Sequence, residues 1–430
     1  MSKRASSLRV GDVLDLDVLK PAAGGRMIAR HDGQVLFVAG AVPGERVRAR
    51  VERTGRGVTY AAVSQVLHPS PDRRAEPVDL ACGGCAYAHI TPERQRALKA
   101  EVIEDALTRI GRLTVPPHVE VVGGADTGYR MRARLHVRRG TFGFFREGTH
   151  DLCDVRGTRQ LLPETCDVLD RVAAGLRSLG VSEVTSVELA ENVDASARVI
   201  HLDAGRLDHA RTLHALGVTD GVTGMTLGAS AIGPEYRVVA GDPWVRDTLR
   251  LSGQDVTIRR HVLTFFQGNR FLLRPLLERV AAEVRAGDRV VDLYAGVGVF
   301  SVAAAAAGAA AVHAVEGDMA GAADLAENAQ AWAGLITTAH ASVESAELPP
   351  PGTASLVIVD PPRTGMSPEA LSRVAATAAP RLVYVSCDPA TLARDAQRLQ
   401  HEGYTVTQVD GFDLFPNTPH VETVAVFTRR

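Results

Sequence analysis

The chain opens with a stretch in which apolar and polar residues alternate and glycine interrupts at short intervals. GDVLDLDVLK, GRMIARHDGQVLFVAG and ERVRARVERTGRGVTYAAVSQVL carry the pattern from about residue 8 to 67. A period of two predicts strands with one buried face, and short strands at regular spacing predict a small β-barrel. His31-Asp32-Gly33 and Val42-Pro43-Gly44 supply its turns. The polar, proline-containing stretch HPSPDRRAEP then reads as a linker. From 68 to about 260 the pattern is mixed. Apolar spacing predicts a helix over Pro92–Arg109, whereas YRMRARLHVRRGTFGFFREG alternates as a β-hairpin dense in arginine. Its interleaved cations and rings suit either a strand lying along RNA or a solvated face. From 261 to 430 the periods switch in turn. RVVDLY, AVHAVE, LVIVD, RLVYVS and VAVFTR read as buried strands separated by helical segments. That alternation predicts an α/β, doubly wound parallel sheet. Three domains follow: 1–67, a barrel; 68–260, mixed α+β; and 261–430, the doubly wound domain.

Composition sharpens this picture in three places. A hydrophobic fraction of 45% and a charged fraction of 23% over 430 residues exclude disordered and fibrous classes. No run of eighteen apolar residues occurs, and MSKRASSLRVGD lacks an apolar signal core, so a cytoplasmic location with no membrane contact is expected. The net charge of -2 hides an asymmetry, because residues 1–67 carry eleven Lys/Arg against six Asp/Glu. A basic arm on a nearly neutral chain points toward nucleic acid. Five cysteines, Cys82, Cys85, Cys153, Cys166 and Cys387, are an odd number, which argues against a disulfide framework.

Candidate chemistry gathers in the last third. In VVDLYAGVGVFS (Val290–Ser301) a glycine turn after the first strand lets backbone approach a ligand. Glu316 follows Asp292 by 24 residues and ends the second strand, where a carboxylate can accept both hydroxyls of a ribose. The turn lacks full GxGxxG spacing, which favours S-adenosylmethionine over a dinucleotide. IVDPPRTG fixes Asp360 on a rigid proline shelf at the next strand end. YVSCDPATLARD sets Cys387 at a strand-to-helix turn, where a helix dipole is expected to lower its pKa. In LFPNTPHVETVAVF, Glu422 leads into an apolar strand, a setting for a general base of raised pKa. TFFQGN offers Gln267 as donor and acceptor and Phe265 as a stacking face.

In this order FFQGN, DLYAGVGVFS, VEGD, VDPPR, YVSCDPATLARD and FPNTPHVE resemble the RNA uracil-C5 (5-methyluridine) methyltransferase family over nearly the whole chain. GRMIARHDGQVLFVAGAVPGE resembles its N-terminal TRAM domain, an RNA-binding β-barrel, and YRMRARLHV its central domain. The resemblance implies S-adenosyl-L-methionine as methyl donor and Cys387 as a nucleophile that adds to C6 of uracil. It implies Glu422 as the base that removes the C5 proton, Gln267, Tyr294, Glu316 and Asp360 as donor-binding residues, and Phe265 as an aromatic near the target base. RNA is the implied partner, ribosomal RNA by preference and tRNA as the alternative, with no obligate protein partner. Many members have Asn where Val299 stands and an adenine-contacting Asp where Ser342 stands. TRAM-bearing relatives often hold a 4Fe-4S cluster on C-x5-C-G-G-C and a distant fourth cysteine. Here ACGGC keeps Cys82 and Cys85, but Glu76 takes the first position and Thr158 the fourth. Cys153 and Cys166 lie out of register, so no metal is expected.

Rival chemistries lack their marks. A DNA cytosine-C5 methyltransferase needs a Pro-Cys pair where Asp360-Pro361-Pro362 stands, and an amino-group methyltransferase needs an aromatic where Arg363 stands. A radical methylthiolating enzyme needs CxxxCxxC, which is absent. The alternative outside enzymes is an RNA-binding or chaperone protein with an inert methyltransferase domain, against which the Cys–Glu pair speaks.

Overall fold

The computed structural model describes residues 8–55, 57–75, 78–114, 118–204, 213–229 and 236–429. Glu76, at the first cluster position, lies outside them.

The alternating N-terminal run closes into a five-stranded barrel of β1 (Val13–Pro21), β2 (Met27–His31), β3 (Gln34–Ala39), β4 (Arg46–Gly55) and β5 (Val58–His68). The order β1-β2-β3-β5-β4 closes because β1 pairs with both β2 and β4. Every second side chain points inward, so Leu16, Val18, Leu36, Val38, Val47 and Ala49 fill the interior. The β2–β3 hairpin turns on Asp32 and Gly33, both at positive φ. Two consecutive left-handed residues match the twist of the flanking strands.

Helix α1 (Pro92–Arg109) begins with proline in its first turn, as the sequence predicts. Strand β6 (Glu120–Val122) follows. The middle of the chain then builds a seven-stranded sheet from β7 (Arg132–Arg138), β8 (Thr141–Phe145), β9 (Leu152–Asp154), β10 (Val184–Glu191), β11 (Arg198–Ala204), β12 (Gly224–Gly228) and β13 (Tyr236–Gly241). Its order is β13-β12-β11-β10-β7-β8-β9, with helix α2 (Pro163–Ser178) packed on its apolar face. The arginine-dense hairpin is β7–β8, turning on Arg139 and Gly140. A separate hairpin joins β14 (Trp244–Leu251) to β15 (Gln254–His261).

The C-terminal sheet has eight strands. After helix α3 (Leu273–Ala281) come β16 (Arg289–Leu293), α4 (Val299–Ala306), β17 (Ala311–Glu316), α5 (Met319–Gln330) and β18 (Ile336–His340). Then follow β19 (Leu356–Val359), α6 (Pro368–Ala376), β20 (Arg381–Ser386), α7 (Pro389–His401), β21 (Tyr404–Phe412) and β22 (Glu422–Arg429). The order β18-β17-β16-β19-β20-β22-β21-β6 reverses direction between β16 and β19. Such a switch point opens a crevice at the carboxyl edge of the strands. β16 to β20 are parallel, and β22 inserts antiparallel beside β20. One face carries α3, α4 and α5; the other carries α6, α7 and α1. Segment 92–122 therefore crosses from the middle of the sequence into the C-terminal body, because α1 packs on α7 and β6 pairs with β21.

Cys82 and Cys153 are joined in a disulfide with Cα atoms 5.8 Å apart, where the odd cysteine count argued against a disulfide framework. An odd cysteine count did not preclude a cross-link, and Cys153 is near Cys82 although out of register in sequence. β9 folds back along β8 and brings the two together, a pairing set 71 residues apart that no local pattern records.

Lys99 on α1 is wholly buried and ion-pairs with Asp413, its ammonium also donating to the Phe415 carbonyl at 3.1 Å. Removing one partner leaves a charge stranded in the interior. Lys99→Met is expected to cost about 3–5 kcal/mol, read as a lowered urea midpoint. Lys99→Met with Asp413→Leu should recover most of the loss.

Candidate active site

Four strand ends meet at the crevice. The turn after β16 is built on strained backbone, with Tyr294, Gly296 and Gly298 all at positive φ. At Gly298 a side chain would meet Leu325 Cδ1 at 2.6 Å, so close helix packing demands glycine there. At Gly296 a Cβ would meet nothing within 4 Å, so that backbone faces open space. Glu316, ending β17, accepts from the Gly296 N–H at 2.6 Å and the Asp318 N–H at 2.6 Å. Asp292 is fully buried beneath, held by the Ser301 hydroxyl at 2.5 Å, while its Oδ1 has no partner.

Asp360 stands just past β19. The loop behind it is pinned by buried Asp395, which accepts from the Met366 N–H at 2.8 Å and the Tyr384 hydroxyl at 2.9 Å. Gly365, at φ 73, lies where a side chain would strike Arg394 and Asp395. Gln267 is buried, and its amide donates to Asp360 at 3.4 Å. The TFFQGN loop is clamped from beneath by fully buried Arg260. That guanidinium reaches Asp247 at 3.1 Å and the Glu191 carbonyl at 2.6 Å, and lies 4.2 Å from the Phe266 ring centroid. With Phe266 turned inward, its neighbour Phe265 is 64% exposed.

Cys387 follows β20 and is half-buried. Asp388, not Cys387, caps α7, accepting from the N–H groups of Ala390 and Thr391. The thiol is therefore not lowered by a helix terminus, which corrects the expectation. Burial, and then the charge of Glu422, push it up to about 11, with Arg363 opposing. Glu422 is the first residue of β22, and because Ser386 pairs with Thr423 it lies beside Cys387. It is 2% exposed and its Oε1 has no partner. Burial and Asp360 hold its pKa well above the usual carboxylate range. Burial, then Asp292 and Glu316, lift Asp360 to about 7. Burial likewise lifts Asp292 to about 7. Arg363 faces this set. Its charge draws the Cys387 thiol pKa downward, and its Nη2 lies 3.0 Å from His420 Nδ1.

The structure thus draws Gln267, Tyr294, Glu316, Asp360, Cys387 and Glu422 to one sheet edge, with Phe265 exposed on the loop that holds Gln267. Sequence reading missed Arg363 and His420 as site residues. Both sit inside motifs already singled out, one after the two prolines and the other two residues before Glu422. The donor set fits S-adenosylmethionine: an open glycine backbone faces a ribose-type acceptor, and a cluster of carboxylates suits a cationic sulfonium. It does not fit a 4Fe-4S cluster. Cys82 and Cys153 are closed into a disulfide, buried Thr158 fills the fourth family position, and no group of three potential metal ligands occurs among the described residues.

The doubly wound sheet with an inserted antiparallel last strand, joined to a small β-barrel, defines a methyltransferase with an appended TRAM domain. Residues 353–430 match the family model for tRNA (Uracil-5-)-methyltransferase and residues 8–63 that for the TRAM domain. The 23S rRNA (uracil(1939)-C(5))-methyltransferase RlmD of Halomonas elongata is 33% identical, covering 93% of this chain and 86% of the relative. The protein of the same name from Alkalilimnicola ehrlichii is 36% identical over 94% of each chain. The crystal structure of Pyrococcus abyssi tRNA (uracil-54, C5)-methyltransferase in complex with S-adenosyl-L-homocysteine shares the fold, with TM-score 0.75 and 24% identity. It covers 96% of this chain and 100% of that one. The chain belongs to the S-adenosylmethionine-dependent RNA uracil-C5 methyltransferase family.

Two outcomes test this electrostatic arrangement. Arg363→Gln removes a cation that opposes the rise of the thiol pKa, so alkylation of Cys387 at pH 8 should slow roughly 3- to 10-fold, followed by mass spectrometry of the labelled peptide. Asp292 has a folded pKa raised to about 7 from the ordinary 3.8. Its contribution is fully present below the unfolded pKa and is lost as pH rises through about 7. Asp292→Asn should flatten the fall in thermal midpoint between about pH 4 and 7.

Proposed function

We propose that this enzyme methylates C5 of a uridine in 23S ribosomal RNA, with Cys387 as nucleophile and Glu422 as base. The single observation that carries the reading is the β20–β22 register, which sets a thiol and a buried, unpartnered carboxylate side by side at the crevice. Uracil C5 is too weak a nucleophile to accept a methyl group unaided. Addition of the Cys387 thiolate to C6 breaks the conjugation and makes C5 an enolate carbon. S-adenosylmethionine, when bound, supplies the electrophilic methyl group. Glu422 then takes the C5 proton, and the electrons left behind expel the thiolate from C6.

The raised pKa of Glu422 serves this step, since a base that holds its proton firmly is a strong acceptor once ionised. The charge of Arg363 favours the ionised form of the Cys387 thiol. Asp360, tied to Gln267, orients the amide that faces the donor. Gln267, Tyr294, Glu316 and Asp360 hold the donor, and Phe265 stacks on a flipped or unpaired base. The barrel of 1–67 and the middle domain of 68–260 hold RNA, and 261–430 carries the chemistry. Barrel strand β4 supports this division: Arg46, Arg48 and Arg50 face outward along one edge, and Arg53 lies over Tyr60 at 4.1 Å. Ribosomal RNA is preferred over tRNA because the full-length relatives at 33% and 36% identity are named for 23S rRNA, whereas the solved tRNA enzyme is 24% identical.

Cys387→Ala should abolish methylation, measured by tritium release from 5-tritiated uridine RNA. Glu422→Gln should lower turnover about 10²- to 10⁴-fold and leave a covalent protein–RNA adduct stable on denaturing gels. Mass spectrometry of both RNAs from a deletion strain should show one 5-methyluridine missing from 23S rRNA. Loss from tRNA alone would move the substrate to tRNA.

A further inference from the structure

We propose that the site where relatives hold a metal cluster is, in this protein, a metal-free disulfide brace between Cys82 and Cys153, with Cys85 kept beside it as an unreactive thiol. The inference does not rest on the identity of the RNA or on the catalytic assignments.

Two of the four family cysteine positions are gone together. Glu76 replaces the first, and Thr158 replaces the fourth, its hydroxyl donating to the Val155 carbonyl at 2.7 Å. A chain that had merely lost its cluster would leave Cys82 and Cys85 with no sulfur opposite them. Instead Cys153, five residues before Thr158, puts a new sulfur on β9 directly against Cys82. The Cα separation of 5.8 Å is the ordinary span of a disulfide and needs no backbone movement.

The surroundings suit a cross-link better than an ion. Cys82, Cys85 and Cys153 form one apolar cluster with Ala88, with Val78 and Leu80 packed against it. The nearest carboxylate, Asp79, is engaged by Arg146 and by the Ala81 N–H at 3.0 Å. Cys85 is 1% exposed, so reagents from solvent do not reach its thiol in the folded chain. Exposures of 9% and 5% slow the approach of soluble thiols and disulfides to the folded pair. The bond forms by exchange with a low-molecular-weight disulfide. The two thiols give up two protons and two electrons, and the oxidant leaves as two thiols.

The brace bears on the active site through one short path. It fastens the 79–85 loop to the β8–β9 hairpin, where the Gly83 N–H donates to Phe145 and the Glu147 N–H to Ala81. The same loop runs on to Tyr87, whose N–H donates to the Asn417 carbonyl at 2.8 Å. Asn417 stands at φ 64 in the turn that delivers Glu422. Gln95 bonds to both Tyr87 and Asn417 and locks this contact. In cluster-bearing relatives a metal would hold the loop, and here a covalent bond does so.

The test uses full-length protein in two portions, one whose free thiols are trapped with N-ethylmaleimide in denaturant at lysis, and one purified without denaturant for metal analysis. Digestion without reductant should give a Cys82–Cys153 cross-linked peptide pair with Cys85 labelled, and metal analysis should find less than about 0.1 iron or zinc per chain. Cys85→Ser should keep the cross-link. Cys153→Ser should lose it and lower the thermal midpoint by roughly 5 °C or more, and reductant should bring the wild type down to the same midpoint. Near-stoichiometric iron or zinc, a Cys82–Cys85 link, or three labelled thiols in the wild type each overturn the proposal. The peptide map decides the matter on the unmutated protein even if Cys153→Ser does not fold.

Discussion

Everything at the crevice depends on one hydrogen-bond register, the antiparallel pairing of β22 against β20. Parallel strands bring only their carboxyl ends to the upper edge of the sheet. A strand inserted the other way brings its amino end there, and so Glu422 arrives beside Cys387. A slip by one residue would turn Glu422 to the opposite face, because side chains alternate along a strand. The register is held on both sides: β21 pairs with β22 down to Phe412 and Glu422, and the buried Val424, Ala425, Val426 and Phe427 fix the faces of the strand.

That pairing in turn needs the turn before β22 to be rigid, which explains why so much of the chain converges on residues 413–420. Asn417 accepts from Arg74 and Gln95, Asp413 takes the buried ammonium of Lys99, and the Leu414 carbonyl accepts from Asn269. The partners come from the linker, from α1 and from the loop that carries Gln267 and Phe265. Thus the turn that delivers the base and the loop that presents the aromatic ring are tied directly to each other. The Glu191, Arg198 and Arg270 pairs extend the same scaffold into the middle domain. Buried ion pairs of this kind contribute little net stability, but breaking one strands a charge, so they define geometry strongly.

Much of this was legible in the residues. Period-two alternation gave the barrel, and the strand–helix alternation after residue 261 gave the doubly wound sheet. The strand-end positions of Glu316, Asp360 and Cys387 followed from where apolar runs stop. Three things were hidden for physical reasons. Cys153 meets Cys82 only through the fold of β8 and β9, and a contact 71 residues apart leaves no local trace. The joining of α1 and β6 to the last domain is likewise tertiary: an amphipathic helix shows that it has a partner, not which one. The sign of the Cys387 shift was misjudged because a strand-to-helix turn suggests a favourable dipole. The cap falls one residue later at Asp388, and desolvation beside Glu422 outweighs it.

That sign carries a consequence for how the site is charged. Asp292, Asp360 and Glu422 are all pushed toward the protonated form, Asp360 by burial, Asp292 and Glu316, and Glu422 by burial and Asp360. Ionising both Asp360 and Glu422 opposite Arg363 sets like charges close together in a poorly solvated crevice. The pair therefore resists losing both protons together. A site in this state attracts a cation, since a positive charge brought among the carboxyls lets them ionise without the mutual repulsion. Departure of that charge raises their proton affinity again. A carboxyl poised in this way is a weak base while a cation sits beside it and a stronger one once the cation is gone, which is the order in which methyl acceptance and proton removal must occur at one carbon.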